Sequence, residues 1–166
     1  MKFLQPLIII PAIAFFSACG GSRAPKVVPA TPVNKPAPAA QSAADLHENI
    51  VLLAKYKKYQ ILKDDGKTKV RIKYDRMQTD RQTKAVTLHS SITYDVANTA
   101  KDYTFSYVDS TNLGYNEHNI SNTYTRYINM FDTTLKRMYS DPTYLGRMKN
   151  VVAGKNPDGT EKTPAK

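Results

Sequence analysis

The sequence predicts an α+β fold, a three- or four-stranded antiparallel sheet with helices packed on one face. Three observations carry this. Val70, Ile72 and Tyr74 alternate with Lys69, Arg71 and Lys73, and a longer alternation runs from Lys84 to Val96. Period two is the signature of a strand with one apolar face. Tyr103, Phe105 and Tyr107 repeat the pattern, and the links between the runs are short, as antiparallel neighbours require. Finally, Ile120, Tyr124, Tyr127, Ile128, Phe131, Leu135 and Met138 recur at helical spacing and make one apolar stripe.

In chain order, residues 1–18 read as an export signal. Lys2 supplies a charge, and Phe3 to Phe16 form an apolar run of 14 residues. A bilayer-spanning helix needs about 20, and Pro6 and Pro11 oppose a uniform helix. Ser17 and Ala18 are small, as a signal peptidase requires. Phe16-Ser17-Ala18-Cys19 resembles the lipobox of bacterial lipoproteins. Ser17, Ala18 and Cys19 match that pattern, whereas Phe16 stands where leucine is commoner. The resemblance covers residues 1 to about 22. It implies cleavage before Cys19, attachment of fatty acyl chains such as palmitate to Cys19, and membrane anchoring. Gly20, in place of aspartate, implies the outer membrane and a periplasmic location.

Residues 19–44 read as a lipidated tether. Five prolines lie between Pro25 and Pro38, favouring an extended, semi-rigid chain that reaches up to roughly 75 Å at about 3.1 Å per residue. A plain spacer is the simplest reading of that composition; Thr31 and Ser42 are candidate glycosylation positions.

Residues 45–152 make the expected domain. Ser42 to about Gln60 reads as a helix, with Asp45 and Glu48 in its first turn. A strand from Tyr56 to Leu62, turning at Asp65-Gly66, is the alternative. Strands are expected over Lys69–Gln78, Lys84–Val96 and Tyr103–Val108. In the second of these, Val86, Leu88, Ile92, Tyr94 and Val96 should share one face. A loop over 109–116 precedes a helix from about Asn119 to Tyr139, which Asp141-Pro142 ends. Thr143 to Val152 adds a short turn. Residues 153–166 are polar, with glycines and prolines, and are expected to be disordered.

With 24 Lys and Arg against 14 Asp and Glu, the chain carries +10; loss of residues 1–18 removes only Lys2, leaving +9. Basicity of this size serves solubility or an anionic partner. In a cell envelope the anionic candidates are lipopolysaccharide, lipid head groups and peptidoglycan; nucleic acid is not expected there. Lys67, Lys69, Arg71 and Lys73 are the candidate ligand-binding residues, a cationic row at about 6.6 Å per step. The same row suits, somewhat better, a guard against edge-to-edge strand pairing.

Catalytic signals are missing. His47, His89 and His118 lack metal-ligand spacing, and there is no G-x-S-x-G or phosphate loop. Aspartates near strand ends are ordinary turn residues. Cys19, the single cysteine, is committed to the anchor. No cofactor or metal is expected. The function expected is a non-catalytic, outer-membrane-anchored lipoprotein that binds a protein partner as an accessory or assembly factor. An anionic-ligand module and a periplasmic immunity protein are the alternatives.

Overall fold

A computed structural model describes residues 27–38, 42–116 and 118–162. The export signal, Cys19 and residues 163–166 lie outside them. No helix among the described residues is long and apolar enough to cross a membrane.

The architecture is α+β. The strands are β1 (Val27–Pro29), β2 (Val33–Pro36), β3 (Gln60–Asp64), β4 (Lys69–Thr79), β5 (Val86–Asn98), β6 (Asp102–Thr111) and β7 (Asn119–Ser121); the helices are α1 (Ala43–Tyr56), α2 (Thr123–Ser140) and α3 (Pro142–Val152). The main sheet is antiparallel with order β2-β6-β5-β4-β3, and β1 pairs with β7 in a second, two-stranded sheet. Five strands therefore replace the three or four expected. The two extra edges come from stretches that carry no clear alternation.

The first edge, β2, corrects the tether reading for residues 27–38; residues 19–26 and 39–41 lie outside the described residues. Val33–Pro36 pairs with Asp102–Phe105, and Val27–Pro29 pairs with Asn119–Ser121. Val28, Ala30, Val33 and Ala37 pack against the core. Proline keeps the backbone extended, and its missing N–H is tolerated on an edge strand. Extension was foreseen; docking was not.

Helix α1 has the expected start. Ser42 Oγ accepts from the Asp45 N–H at 3.1 Å, and the Asp45 side chain reaches back to complete the capping box. The helix stops at Tyr56, Lys58 turns with φ 58°, and β3 begins at Gln60. The two alternatives for this region thus occur one after the other. Helix α2 starts at Thr123, because Asn119–Ser121 is strand. The expected short turn after Pro142 is an 11-residue helix, α3, capped by the Asp141 carboxylate on the Tyr144 N–H at 2.9 Å. Proline suits that first helical position.

The tail is also more ordered than expected up to residue 162. The Asn156 N–H donates to the Thr160 carbonyl at 2.8 Å, and Asn150 Nδ2 donates to the Pro157 carbonyl at 3.2 Å. Asp158 and Gly159 provide the turn, with φ 92° at the glycine.

One core joins the sheet and helices. Ile72, Ile92, Tyr94, Val96 and Phe105 from the sheet meet Leu46, Ile50, Ile128, Phe131 and Leu135 from α1 and α2, all fully or almost fully buried. Each such side chain contributes about 1.5–3 kcal/mol by leaving water. Phe131 sits edge-on to both Tyr94 and Phe105.

Three one-residue bulges shape the sheet, at Leu62 in β3, His89 in β5 and Val108 in β6. The bulge at His89 overturns one expectation. Met77 pairs with Leu88 and Arg76 with Ser90, so His89 has no opposite number. One extra residue sends every side chain beyond it to the other face. Val86 and Leu88 therefore lie on the face opposite Ile92, Tyr94 and Val96, together with Met77.

Candidate functional site

The helices cover one face of the sheet. On the open face, alternation places Lys69, Arg71 and Lys73 beside the outward residues of β5, as expected. These cations are not a free row. Arg71 Nε and Nη2 donate to the two carboxylate oxygens of Asp95 at 2.7 and 3.1 Å. Lys69 Nζ lies 2.9 Å from the same carboxylate, and Lys73 Nζ lies 3.3 Å from Asp75. Asp95 is buried, and the hydrogen bonds from Arg71, more than any other cause, hold its carboxyl below the usual range. The spacing Arg71 to Asp95 is invisible along the chain; only the register Arg71–Asp95 across β4 and β5 reveals it.

Strand β4 lies inside the sheet, between β3 and β5. Its lysines therefore do not guard an edge. Lys63, from the true edge strand β3, joins Lys69, Arg71, Asp65 and Asp95 around a cleft of about 210 Å³. Asp65 is spent on its own turn, accepting from the N–H groups of Lys67, Thr68 and Lys69 at 2.9 Å each. Those donors, Lys69 foremost, hold its carboxyl well below the usual range. Lys67 stands in that turn rather than in the row. Among the described residues, neither Lys63 nor Lys67 has a carboxylate within ion-pair distance. Lys63 is the cation lining the cleft that no carboxylate offsets.

A second feature of the open face is apolar. Beyond the bulge, β4 and β5 run on as a two-stranded ribbon ending in the turn 80–85. Met77, Leu88 and Val86 are 54%, 42% and 60% exposed, and the pairs Met77–Leu88 and Thr79–Val86 place them side by side. Arg81 and Lys84 crown the ribbon's tip. Asp80 is turned inward, accepting from the N–H groups of Gln82 and Thr83 at 2.9 and 2.6 Å. The ribbon thus ends in an apolar strip with a cationic tip. Sequence reasoning placed Val86 and Leu88 in the core, because periodicity cannot register a bulge.

No protein-family model, curated protein or solved structure matches this chain.

Among the described residues, His47 joins a local grouping of side chains that could hold a metal ion. His47 is buried; its Nε2 lies 2.8 Å from Asp64 Oδ1 and its Nδ1 3.3 Å from Asn98 Oδ1. Asn98 Nδ2 donates to the Ala43 carbonyl at 2.8 Å, which fixes the amide with its oxygen toward the ring. His47, Asp64 and Asp65 offer donor atoms within 4.8 Å of one another. Each is already engaged: Asp64 also accepts from the Gly66 N–H at 2.7 Å, and Asp65 holds its turn. The grouping ties α1 to the β3–β4 hairpin.

The helical spacing of the apolar stripe leaves Asp132 on the polar side of α2. Asp132 instead faces the sheet at 7% exposure. Its Oδ1 accepts a short hydrogen bond from the Tyr103 hydroxyl, and Lys136 Nζ lies 3.1 Å from the same oxygen. Lys35 from β2 stands 3.9 Å from its other oxygen and donates to Asn129 Oδ1 at 3.2 Å. This cluster pins the N-terminal segment to α2.

Proposed function

We propose that the protein is a non-catalytic lipoprotein, anchored through acylated Cys19, that binds an envelope protein partner through the open face of the β4–β5 ribbon. One observation carries the docking surface: the bulge at His89 gathers Met77, Val86 and Leu88, all exposed, onto one outward strip. Adjacent exposed apolar side chains are the usual mark of an interaction site. The flanking Arg81 and Lys84 favour a partner with an acidic rim, which would steer the encounter. The docking of residues 27–38 onto the body shortens the reach of the anchor. That favours a partner at or near the membrane surface over one deep in the periplasm.

The anchor is tested by labelling cells with an alkyne fatty acid. Wild type takes the label and Cys19→Ser does not; equal labelling overturns the anchor. The docking strip is tested by placing a photo-crosslinking amino acid at Leu88, with a control at exposed Lys136 on α2. A discrete adduct of one mass from position 88 alone is expected. Adducts from both positions, or from neither, defeat the reading. Crosslinks to lipid alone would assign the strip to the membrane surface instead.

A second reading has its own support. The cleft of Lys63, Lys69 and Arg71, with Lys67 beside it, suits an anionic envelope ligand such as lipopolysaccharide. Asp95 already neutralises much of it, so Lys63 and Lys67 carry this reading more than the row does.

A further inference from the structure

On the helix side of the ribbon's root lies a cleft of about 200 Å³, lined by Tyr74, Arg76, Thr123, Arg126, Tyr127 and Met130. Arg76 comes from β4, opposite Ser90 at the bulge. Arg126 comes from the first turn of α2. Both are exposed, and neither has a carboxylate within ion-pair distance among the described residues. Helix α2 has no acidic residue in its first turn, and the Asn122 side chain caps none of its N–H groups; the Ser121 hydroxyl accepts from the Thr123 N–H alone, at 3.3 Å. The positive end of the helix dipole therefore meets two guanidiniums with nothing to balance them. Tyr127, 6% exposed, lines the cleft with a buried hydroxyl that has no hydrogen-bond partner. Ser121 Oγ donates to Thr123 Oγ1 at 3.1 Å, leaving the threonine's own hydrogen to point elsewhere.

The charged side chains at this cleft are both cations. Two unpaired arginines near a helix N-terminus repel one another. A ligand rich in acceptors and negative charge would offset that repulsion. Guanidinium groups bind oxyanions in bidentate fashion, and helix N-termini receive phosphate through their free N–H groups. From this geometry we infer that the cleft between Arg76 and Arg126 binds a terminal phosphate group. Arg76 and Arg126 clamp its oxygens from the sheet and helix sides, and the first turn of α2 completes the cradle. This site lies on the opposite face of the sheet from the strip of Met77, Val86 and Leu88, and stands whether or not that strip binds a protein.

Titration of the purified full chain with inorganic phosphate tests the site by calorimetry. Saturable binding that weakens as salt rises is expected. Arg76→Gln and Arg126→Gln should each weaken it about tenfold, while Lys149→Gln, exposed on α3, leaves it unchanged. Both arginines are exposed, so the variants keep the fold, and the wild-type circular dichroism spectrum verifies this. Vesicles of phosphatidylcholine with and without phosphatidic acid distinguish the source. A preference for phosphatidic acid that the double variant loses assigns a lipid head group; phosphate binding without that preference assigns a soluble phosphate compound. Absence of saturation by phosphate, or equal affinity in the arginine variants and wild type, overturns the site.

Discussion

From Ser90 to Val96 every residue of β5 is buried, whereas from Val86 to His89 every residue is exposed. The two halves have similar composition: Val86 and Leu88 are as apolar as Ile92 and Val96. Two things separate them. Helices α1 and α2 cover the sheet only beside Ser90–Val96, and the bulge at His89 turns Val86 and Leu88 over to the other face. In the covered half, even the outward residues Ser91, Thr93 and Asp95 are buried, because longer side chains on the flanking strands shield a central strand. In the free half no such neighbours exist. Apolar alternation therefore marks a strand but does not say what will cover it.

Urea denaturation of paired variants should break that comparison most sharply. Ile92→Ala is expected to cost about 2–5 kcal/mol, as buried aliphatic truncations do. Leu88→Ala should stay within about 0.5 kcal/mol, as exposed positions do. Similar costs at both positions would place Leu88 in the core.

The N-terminal segment sharpens the comparison from the opposite edge. A chain starting at Ser42 loses β1, β2 and the packing of Val28 and Val33. Its unfolding free energy should fall by more than about 2 kcal/mol, a large share of a small domain's stability. An unchanged midpoint would show the segment to be the free spacer its prolines suggest.

Asp132→Asn should cost about 1–3 kcal/mol, because Tyr103, Lys136 and Lys35 all converge on that carboxylate. Loss of stability equal to that of the Ser42 truncation would assign most of the segment's anchoring to this one cluster.

Asp95 gives a smaller, pH-dependent effect. Its folded pKa lies below the unfolded value, so its contribution is full above the unfolded pKa and is lost as pH falls through the folded one. Asp95→Asn should lower stability near neutral pH and flatten the decline in acid. An unchanged acid limb in the variant would mean that Arg71 and Lys69 do little for this carboxylate.

Much of the fold was legible: the α+β class, strands β4 to β6, the apolar stripe of α2 and the Ser42 cap all follow from period and capping chemistry. What escaped has physical reasons. A bulge changes no residue type, so the reversal of Val86 and Leu88 left no local signal. Proline-rich edge strands obey no alternation, and their pairing depends on partners some seventy residues away, as in Val33 with Phe105. Asp132 looked solvent-facing because its partners, Tyr103 and Lys35, arrive from other elements. The cationic row was read correctly as a face, but its neutralisation by Asp95 is a matter of register. The Arg76–Arg126 cleft, likewise, exists only where the root of the hairpin meets the start of α2.

The division of β5 into a core half and a docking half is tested most directly by crosslinking from position 77 in cells, with and without Leu88→Thr. The account predicts one adduct in the parent, its loss in the Leu88→Thr chain, and the same urea midpoint for both. An adduct of undiminished yield in the Leu88→Thr chain would contradict it.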